Sequence, residues 1–210
     1  MKKERFYKVL ATDGSACHGG IGKWPLPQGR RKGGWLTVKP PLNPCQQGLH
    51  LCRSKNLIYW LGEAIYLAEW TGQCIIRDDK IVVSKARLVR RLTSWNEKNA
   101  RLFAADCATH ALRKEQAAGR KPHAALWIAV QVARLFARGC ATQQELSAAE
   151  SAAWSAARSA AWSAAESAAW SAAESAAWSA ARSAAESAAE SAAWSWQTRR
   201  LMEYLEGKRS

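Results

Sequence analysis

The chain has 210 residues, 48% of them hydrophobic, and its 31 Lys and Arg against 17 Asp and Glu give a formal net charge of +14. This apolar content excludes an intrinsically disordered chain, and the length suits one or two domains. No run approaches the roughly 18 apolar residues of a membrane span, and no apolar signal-peptide core follows the charged start at residues 1–5. We therefore expect a cytoplasmic protein that makes no membrane contact.

The positive charge is concentrated in the front part of the chain. Residues 1–141 contain 25 Lys and Arg against 9 Asp and Glu, a difference of +16, whereas residues 142–210 contain 6 against 8, a difference of −2. This asymmetry favours an anionic partner for the front part, either a nucleic acid or a protein. The six cysteines are spread through a chain without an export signal and are expected to be reduced.

Short apolar segments separated by turn residues predict an α+β domain over residues 1–93. Runs rich in β-branched and aromatic residues indicate strands, and Gly, Pro and Asp mark the breaks between them. A loop rich in Gly, Pro and basic residues is expected at 19–34. The predicted strands are 6–11, 35–38, 49–52, 64–70, 73–76, 81–83 and 88–89.

Turn and cap residues divide this domain further. Ser54 is expected to cap a helix over residues 54–61, because a serine hydroxyl can accept a hydrogen bond from the first helical turn. The Thr71-Gly72 dipeptide is expected to form the turn of a hairpin, and residues 78–79 the next turn.

The pattern changes at residue 94, where an all-α domain over residues 94–210 is predicted. Ser94 and Glu97 have the Ser-x-x-Glu spacing of a capping box, which predicts the start of a helix. Pro122 is expected at the first position of a second helix, where its missing N–H group would have no helical partner anyway.

A tetrapeptide repeat dominates the end of the chain. Residues 147–194 consist of Ser-Ala-Ala-X twelve times, and X is only Trp, Glu or Arg. Alanine favours a helix, and Thr142 with Glu145 forms a capping box where that helix would begin. Because an α-helix turns about 100° per residue, each repeat rotates X by about 40° around the axis.

One straight helix would therefore expose tryptophan on all sides, which disfavours a soluble monomer. The repeat can instead fold back into two or three shorter helices of a bundle, or a long helix can associate with other copies of the chain. We expect the folded-back bundle and retain the homo-oligomer as the alternative. The tryptophans predicted to form packing or oligomer contacts are Trp154, Trp162, Trp170, Trp178 and Trp194.

The richest cluster of reactive side chains lies in the predicted α+β domain. Cys45, His50 and Cys52, with Cys17 or His18 upstream, are the residue types of a four-ligand zinc site. Their spacing fits no common zinc finger, and a buried strand with small thiols has the same pattern, so no metal is predicted. His50 is also the candidate for an acid–base residue, because imidazole titrates near neutral pH, although a structural histidine is the favoured explanation.

Two basic clusters are candidates for binding nucleic acid or another anion. The first lies in a glycine-flanked loop with tryptophans nearby, a composition that suits phosphate contacts and base stacking. The second lies at the end of the α+β domain, and solvated surface charge explains both clusters as well. The candidate residues are Arg30, Arg31, Lys32, Arg87, Arg90 and Arg91.

Familiar catalytic and nucleotide-binding motifs are absent from the sequence. There is no P-loop, no Gly-x-Gly-x-x-Gly, no His-Glu-x-x-His and no Gly-x-Ser-x-Gly. No cofactor is predicted. An enzyme of an unrecognised class centred on His50 remains an alternative hypothesis.

Residues 5–93 resemble an uncharacterised domain of phage and bacterial proteins. That domain carries a Cys-x-x-Gly-aromatic-His-x-Cys motif, followed by a hairpin and an acidic turn that ends in lysine. Residues 45–52 keep this spacing, with Leu49 in place of the aromatic residue, and residues 65–72 and 78–91 match the later part. The resemblance implies no established activity.

The second half of the chain is similar to proteins assigned as immunity proteins of polymorphic toxin systems. The similarity rests on residues 102–112, 121–122 and 133–139, and on the alanine-rich tail that follows them. Those proteins are all-helical, and their tails divide into several helices, which supports the folded-back arrangement of the repeat.

The sequence thus predicts a non-catalytic accessory protein of a phage or bacterium, acting in the bacterial host cell. It is expected to bind a macromolecular partner through the basic domain, as an immunity or counter-defence factor, with the repeat as scaffold or oligomerisation surface. The alternatives are a nucleic-acid-binding protein that uses the basic front part and the enzyme centred on His50.

Overall fold

The computed structural model describes the backbone of residues 4–171 and 176–210, and the side chains of the same residues apart from 157 and 159–190. Strands and helices are both present, which confirms the α+β class. The chain forms two compact units. The sheet unit consists of Met1–Asn96 with Thr198–Arg209, and the helical unit consists of Glu97–Gln197 with Ser210.

The segment Thr198–Arg209 clusters with the sheet unit, although the sequence analysis places it in the all-α domain. Leu201, Tyr204 and Leu205 are buried there. The hydroxyl of Ser94 donates a hydrogen bond of 2.7 Å to the carbonyl of Leu205. The local sequence pattern does not predict these long-range contacts, because an apolar stripe on a helix does not specify which surface it covers.

Five antiparallel strands form the sheet unit, in the order β2-β5-β3-β1-β4. β5 pairs with β3 and also with β4, so β5, β3, β1 and β4 form a closed ring, with β2 paired to β5. The strands are β1 (Phe6–Leu10), β2 (Leu36–Thr37), β3 (Leu49–Arg53), β4 (Ala64–Ile76) and β5 (Ile81–Arg91).

Alternate residues of these strands build the main hydrophobic cluster of the sheet unit. Successive side chains of a strand point to opposite faces, so Ile81 and Val83 contribute to the same cluster. Trp24 joins it from the loop between β1 and β2. The buried members are Leu10, Trp24, Leu51, Ala64, Tyr66, Ala68, Ile81, Val83, Ala86 and Leu88.

The predicted hairpin turn at Thr71-Gly72 is wrong. β4 runs through it without a break, and the hairpin turns instead around residues 78–79, where the Arg77 N–H donates to the Lys80 carbonyl at 2.9 Å. Gly72 has a φ of 84° and lies at a register shift between β4 and β5. A glycine in this conformation suits a β-bulge as well as a turn, so the local pattern does not distinguish them.

Residues Ser54–Trp60 form a 3-10 helix, so a helix is present where one was expected, but the expected cap at Ser54 is wrong. The N-cap position is Arg53, whose side chain makes no capping hydrogen bond. The side-chain amide of Asn56 donates a hydrogen bond of 2.7 Å to the backbone carbonyl of Asp78, which connects the 3-10 helix to the turn between β4 and β5.

Four helices follow the sheet: α1 (Glu97–Ala117), α2 (Ala124–Ala137), α3 (Gln143–Ser171) and α4 (Ala176–Leu205). The capping box of Thr142 and Glu145 is confirmed, because the Glu145 N–H donates to the Thr142 hydroxyl at 3.2 Å and the Glu145 carboxylate accepts from the Thr142 N–H at 2.7 Å. None of the helices in the described ranges is long and apolar enough to cross a lipid bilayer.

The other two predicted helix starts are corrected by the structure. α2 begins at Ala124, and its N-cap is His123, whose Nδ1 accepts a hydrogen bond of 3.1 Å from the Ala125 N–H. Pro122 therefore precedes the cap. α1 begins at Glu97, so Ser94 lies ahead of the N-cap position and bonds to the end of α4 instead.

The repeat is helical on both sides of residues 172–175, as its alanine content predicts. Trp154 is 67% exposed, and the Arg158 guanidinium lies 6.0 Å from the centre of its ring, one helical turn later. Trp194 is half-buried. The positions where the repeat would fold back, and the side chains of Trp162, Trp170 and Trp178, lie outside the described residues.

Candidate functional site

The Cys-x-x-Gly-x-His-x-Cys segment forms a tight loop in front of β3. The Asn43 N–H donates to the Gln47 carbonyl at 2.8 Å, and the Gln47 N–H donates back at 2.7 Å. At the tip, Cys45 has a φ of 68°, a left-handed conformation that is uncommon for a residue with a side chain. Nε2 of His50 accepts the Cys45 N–H at 3.1 Å and so holds this conformation in place.

Gly48 connects the loop to β3 in close contact with β5. Its φ is 142°, and a Cβ at this position would lie 2.2 Å from Cγ1 of Val82. Val82 is fully buried and pairs with His50 across the β3–β5 ladder. The glycine of the motif is thus required by backbone conformation and by packing against a core side chain.

The two thiols of the motif have different surroundings. Cys45 is exposed, and its Sγ lies 3.3 Å from the Lys80 ammonium. Cys52 is buried and donates a weak hydrogen bond of 3.7 Å to the Tyr7 carbonyl. Burial raises the pKa of Cys52 to about 12, against a smaller opposing effect of the Lys8 charge. Cys52 is therefore a neutral structural thiol.

The four-ligand zinc site is not assembled. In the part of the chain that the structure describes, no group of three or more His, Cys, Asp or Glu side chains is arranged to hold a metal ion. His18 instead contacts the Trp60 carbonyl at 2.9 Å through Nε2, and His50 is engaged by the backbone of Cys45. The Cys and His spacing of the motif is explained by loop geometry and core packing.

A cavity of about 760 Å³ opens beside this loop, and we call it the motif cavity. Its walls come from β1, from β3, from the glycine-rich loop at 19–22 and from the loop at 45–48. Trp60 and Lys80 also line it, as do Ala16, His18 and Val38. The cavity therefore brings the predicted residues Cys45, His50 and Cys52 together with two lysines and a tryptophan that the sequence analysis did not select.

The electrostatics of the motif cavity are positive. Its lining residues within the described structure include Lys8 and Lys80 and no Asp or Glu. Burial lowers the pKa of Lys8, against smaller opposing effects of Cys17 and Cys52. For Lys80 the desolvation is outweighed by the hydrogen bond to Cys45 and the charge of Asp79, which together raise its pKa.

His50 is expected to stay neutral below the pH at which a free imidazole becomes protonated. Burial lowers its pKa from 6.5, and the charges of Lys8 and Lys80 lower it further, against a hydrogen bond to the Gly48 backbone. Because the folded pKa is lower than 6.5, the unfolded state binds more protons at His50 than the folded state near that pH. The free energy of unfolding should therefore fall as the pH drops from about 6.5 to the folded pKa.

An NMR titration of the imidazole resonances measures this pKa directly, and urea unfolding at several pH values measures the linked stability. The variant His50→Gln retains an acceptor and does not titrate, so its acid-induced loss of stability should be smaller than that of the wild type. A His50 pKa at or above the ordinary value would contradict the prediction.

The two predicted basic clusters meet at one carboxylate. Lys32, from the first cluster, lies 2.8 Å from the Glu69 carboxylate, and Arg87, from the second, bonds to the same group. The hydrogen bond from Lys32 lowers the pKa of Glu69, and Arg87 adds to this effect against desolvation. Glu69 on β4 is directly opposite Arg87 on β5, so the strand register determines the contact between these two side chains.

Trp35 contacts two basic side chains of β5 beside this carboxylate. Arg87 lies 4.4 Å and Lys85 lies 5.3 Å from the centre of its ring, and the side chain remains 38% exposed. Arg30 and Arg31 sit on an exposed turn directly before Lys32. We call this set the basic–aromatic cluster, and its members are Arg30, Arg31, Lys32, Trp35, Glu69, Lys85 and Arg87.

Arg90 and Arg91 are the members of the second predicted cluster without a contact at Glu69 in the described structure. Both are exposed at the end of β5. Arg90 lines a separate cavity of about 510 Å³, together with Arg5 and residues of the C-terminal segment. Of the six predicted basic residues, Lys32 and Arg87 therefore meet at Glu69, whereas Arg90 lines the other cavity.

The sequence analysis missed Lys8, Lys80 and Glu69. Lys8 was detectable in principle, because it is the one charged residue of a five-residue strand whose other members are apolar. Lys80 and Glu69 have no comparable local pattern, since their roles depend on which strands become neighbours.

Comparisons of the chain with protein-family models, with curated proteins and with solved structures gave no match.

Proposed function

We propose that the protein is a non-catalytic binding protein whose sheet unit engages an anionic macromolecule through the basic–aromatic cluster. The observation that carries the proposal is the convergence of Lys32 and Arg87 on Glu69 beside the exposed Trp35. The cluster contains five cationic side chains and one carboxylate, and two of the cations lie over an indole ring that is partly exposed.

Nucleic acid is the anionic partner that this combination favours. Lysine and arginine neutralise phosphates and release counterions, and an exposed indole ring offers a surface for stacking an unpaired base. The repeat is a weaker candidate for this role, because residues 142–210 have an excess of Asp and Glu. The expected ligand is therefore a single strand bound by the sheet unit.

The charge-reversal variant Arg30→Glu/Arg31→Glu is expected to weaken the binding of a fluorescent single-stranded oligonucleotide by about tenfold or more at low salt. Each lost phosphate contact should also reduce the slope of log K against log salt by about 0.7. Fluorescence anisotropy across a salt series measures both quantities. The variant Trp35→Ala should weaken binding with little change in the salt slope.

The matched control is Arg113→Glu, a reversal of an exposed arginine on α1 of the helical unit. It should leave the affinity and the salt slope unchanged. Binding that does not depend on salt, or equal losses in the control and in Arg30→Glu/Arg31→Glu, would remove the nucleic-acid proposal.

A protein partner with an acidic surface is the second candidate, and it would suit an immunity or counter-defence role. The similarity of the helical half to immunity proteins supports this candidate, and the partner would then be a toxin or a defence protein. The proposed scaffold role of the repeat, folded back or paired with another copy, applies to both candidates. Sedimentation velocity over a wide concentration range tests whether the full chain associates with itself.

The enzyme hypothesis receives less support from the geometry. A general base needs a free acceptor within reach of a substrate proton. Nε2 of His50 already accepts the Cys45 N–H, and its lowered pKa reflects burial and neighbouring ammonium groups. These features suit a histidine that positions the loop.

A further inference from the structure

The motif cavity contains a partly buried positive charge that no carboxylate in the described structure neutralises. The Lys8 ammonium lies 5.1 Å from the centre of the Trp24 ring, a cation–π contact. The charged groups that act on Lys8 within the described structure are Cys17 and Cys52, and no carboxylate is among them. Burial raises the pKa of both thiols, so both are neutral at pH 7.

An ammonium group removed from water without an anionic partner destabilises the fold. Lys8 occupies a strand whose other residues are apolar, where an aliphatic side chain would pack without this penalty. Sites that retain an unfavourable charge are typical binding sites, because a ligand supplies the missing partner.

A second ammonium group faces the same space and is only partly neutralised. Lys80 lies 3.4 Å from the Asp79 carboxylate and 3.3 Å from the Cys45 thiol, and its side chain is 16% exposed. The charges of Lys8 and Lys80 both lower the pKa of His50, which places all three groups within electrostatic range of one another. The positive potential is therefore focused inside the cavity.

The rest of the cavity wall is largely apolar and includes an aromatic ring. Val9, Val38 and Leu51 line it, and Trp60 adds an indole ring with the Lys80 ammonium 5.3 Å from its centre. A volume of about 760 Å³ lies within the range of small-molecule sites, and such sites combine apolar walls with a few polar groups. An inorganic ion alone would leave most of this space unfilled.

We propose that the motif cavity binds a small organic anion, in which a phosphate or carboxylate group is attached to an apolar body the size of an aromatic ring. The anionic group lies between Lys8 and Lys80, and the ring packs against Trp60 and the aliphatic wall. This site is separate from the proposed nucleic-acid-binding function, which uses different residues.

Calorimetric titration of the full-length chain with four probes tests the site. Phenyl phosphate and benzoate carry the two anionic groups on the same ring, benzyl alcohol is the neutral analogue, and inorganic phosphate lacks the ring. We expect saturable binding of phenyl phosphate, of benzoate or of both, and affinity at least about tenfold weaker for benzyl alcohol and for inorganic phosphate. The tighter of the two aromatic anions identifies the headgroup.

The variant Lys8→Met is expected to reduce the affinity for the tighter probe by at least about tenfold and to raise the melting temperature of the protein. Lys55→Met is the matched control, because Lys55 is an exposed lysine of the same unit that does not line the cavity. If Lys8→Met does not fold, Lys80→Met replaces it, with a loss of affinity in the same direction.

A readout in the wild-type protein locates the ligand without any variant. An anion between the two lysines stabilises the imidazolium form, so it should raise the pKa of His50 measured by NMR. Three results would each overturn the proposal: no saturable binding of either aromatic anion, equal affinity for benzyl alcohol, or unchanged affinity in both lysine variants. Whether Arg30→Glu/Arg31→Glu loses oligonucleotide binding does not affect the binding of the aromatic anion, so each proposal can be contradicted independently of the other.

Discussion

Replacement of Gly48 by alanine should destabilise the sheet unit by about 3 kcal/mol. The new Cβ would lie 2.2 Å from Cγ1 of Val82, and the backbone φ of 142° is one that residues with a side chain rarely adopt. Val82 is fully buried, and its strand is paired with both β3 and β4 at this position. Either the loop at 45–48 moves away from β5, or the core around Val82 expands.

Hydrogen exchange followed by mass spectrometry measures this loss locally, because amides of β3 and β5 exchange through opening of the sheet unit. Gly29→Ala is the matched control. Gly29 also has a positive φ, 57°, but a Cβ there meets nothing within 4 Å. It should lower stability by only about 1 kcal/mol, from backbone strain alone. Equal losses at the two positions would show that contact with Val82 is unimportant.

The same variant separates two roles of the Cys-x-x-Gly-x-His-x-Cys segment. If the loop moves, the Cys45 N–H leaves His50, and the lining of the motif cavity changes with it. We therefore expect Gly48→Ala to weaken binding of the aromatic anion and to shift the pKa of His50 toward its ordinary value. Gly29→Ala should change neither.

Local patterns predicted the elements of this fold whose causes are local. The strand at 6–11, the acidic turn at 78–79 and the capping box of Thr142 and Glu145 all match the structure. Each depends on residues close together in the chain, where alternation, turn propensity and cap chemistry act directly. The helical character of the repeat follows for the same reason, from alanine content.

The wrong predictions concern residues with two compatible local conformations. Gly72 suits a turn or a bulge, and Pro122 suits the first helical position or the residues just before the cap. Tertiary contacts decide between such options: the hydroxyl of Ser84 accepts the Gln73 N–H at 2.9 Å, which fixes the bulge within β4. The residues next to Gly72 in the sequence do not predict this hydrogen bond between Gln73 and Ser84.

The candidate sites were predicted only in part, for a related reason. The sequence identified Cys45, His50 and the basic residues by their chemistry. It did not identify Lys8, which shares the motif cavity with His50 because β1 is paired to β3. Spacing along the chain predicts which residues are close together within one strand or helix. The residues that line a cavity formed by several strands depend instead on the order in which those strands pair.

In the helical unit, Asp106 bonds across to another helix. Nη1 of Arg134 on α2 donates to the Asp106 carboxylate of α1 at 2.6 Å, and Nη2 donates to the Thr109 hydroxyl at 2.8 Å. Asp106 is only 7% exposed, and the Arg134 side chain is 26% exposed. One guanidinium group therefore neutralises a buried carboxylate and connects the two helices.

Arg134→Ala should destabilise the helical unit by about 3 kcal/mol or more, because it removes a cation that pairs with the buried Asp106 carboxylate. The matched control, Arg120→Ala, removes a guanidinium that pairs with Glu115 at the exposed end of α1, where solvent screens the interaction, and its effect should be much smaller. Exchange rates of α1 and α2 amides compare the two variants.

The double variant Asp106→Leu/Arg134→Met identifies the source of that loss. If the buried charge is responsible, removing both partners should restore most of the stability, because two apolar side chains of similar size can fill the same space. If the hydrogen bonds of Arg134 to Thr109 and to the Ala105 carbonyl hold the helices together instead, the double variant will remain as unstable as Arg134→Ala. The comparison thus decides whether α1 and α2 are joined by compensation of one charge or by the geometry of the guanidinium group.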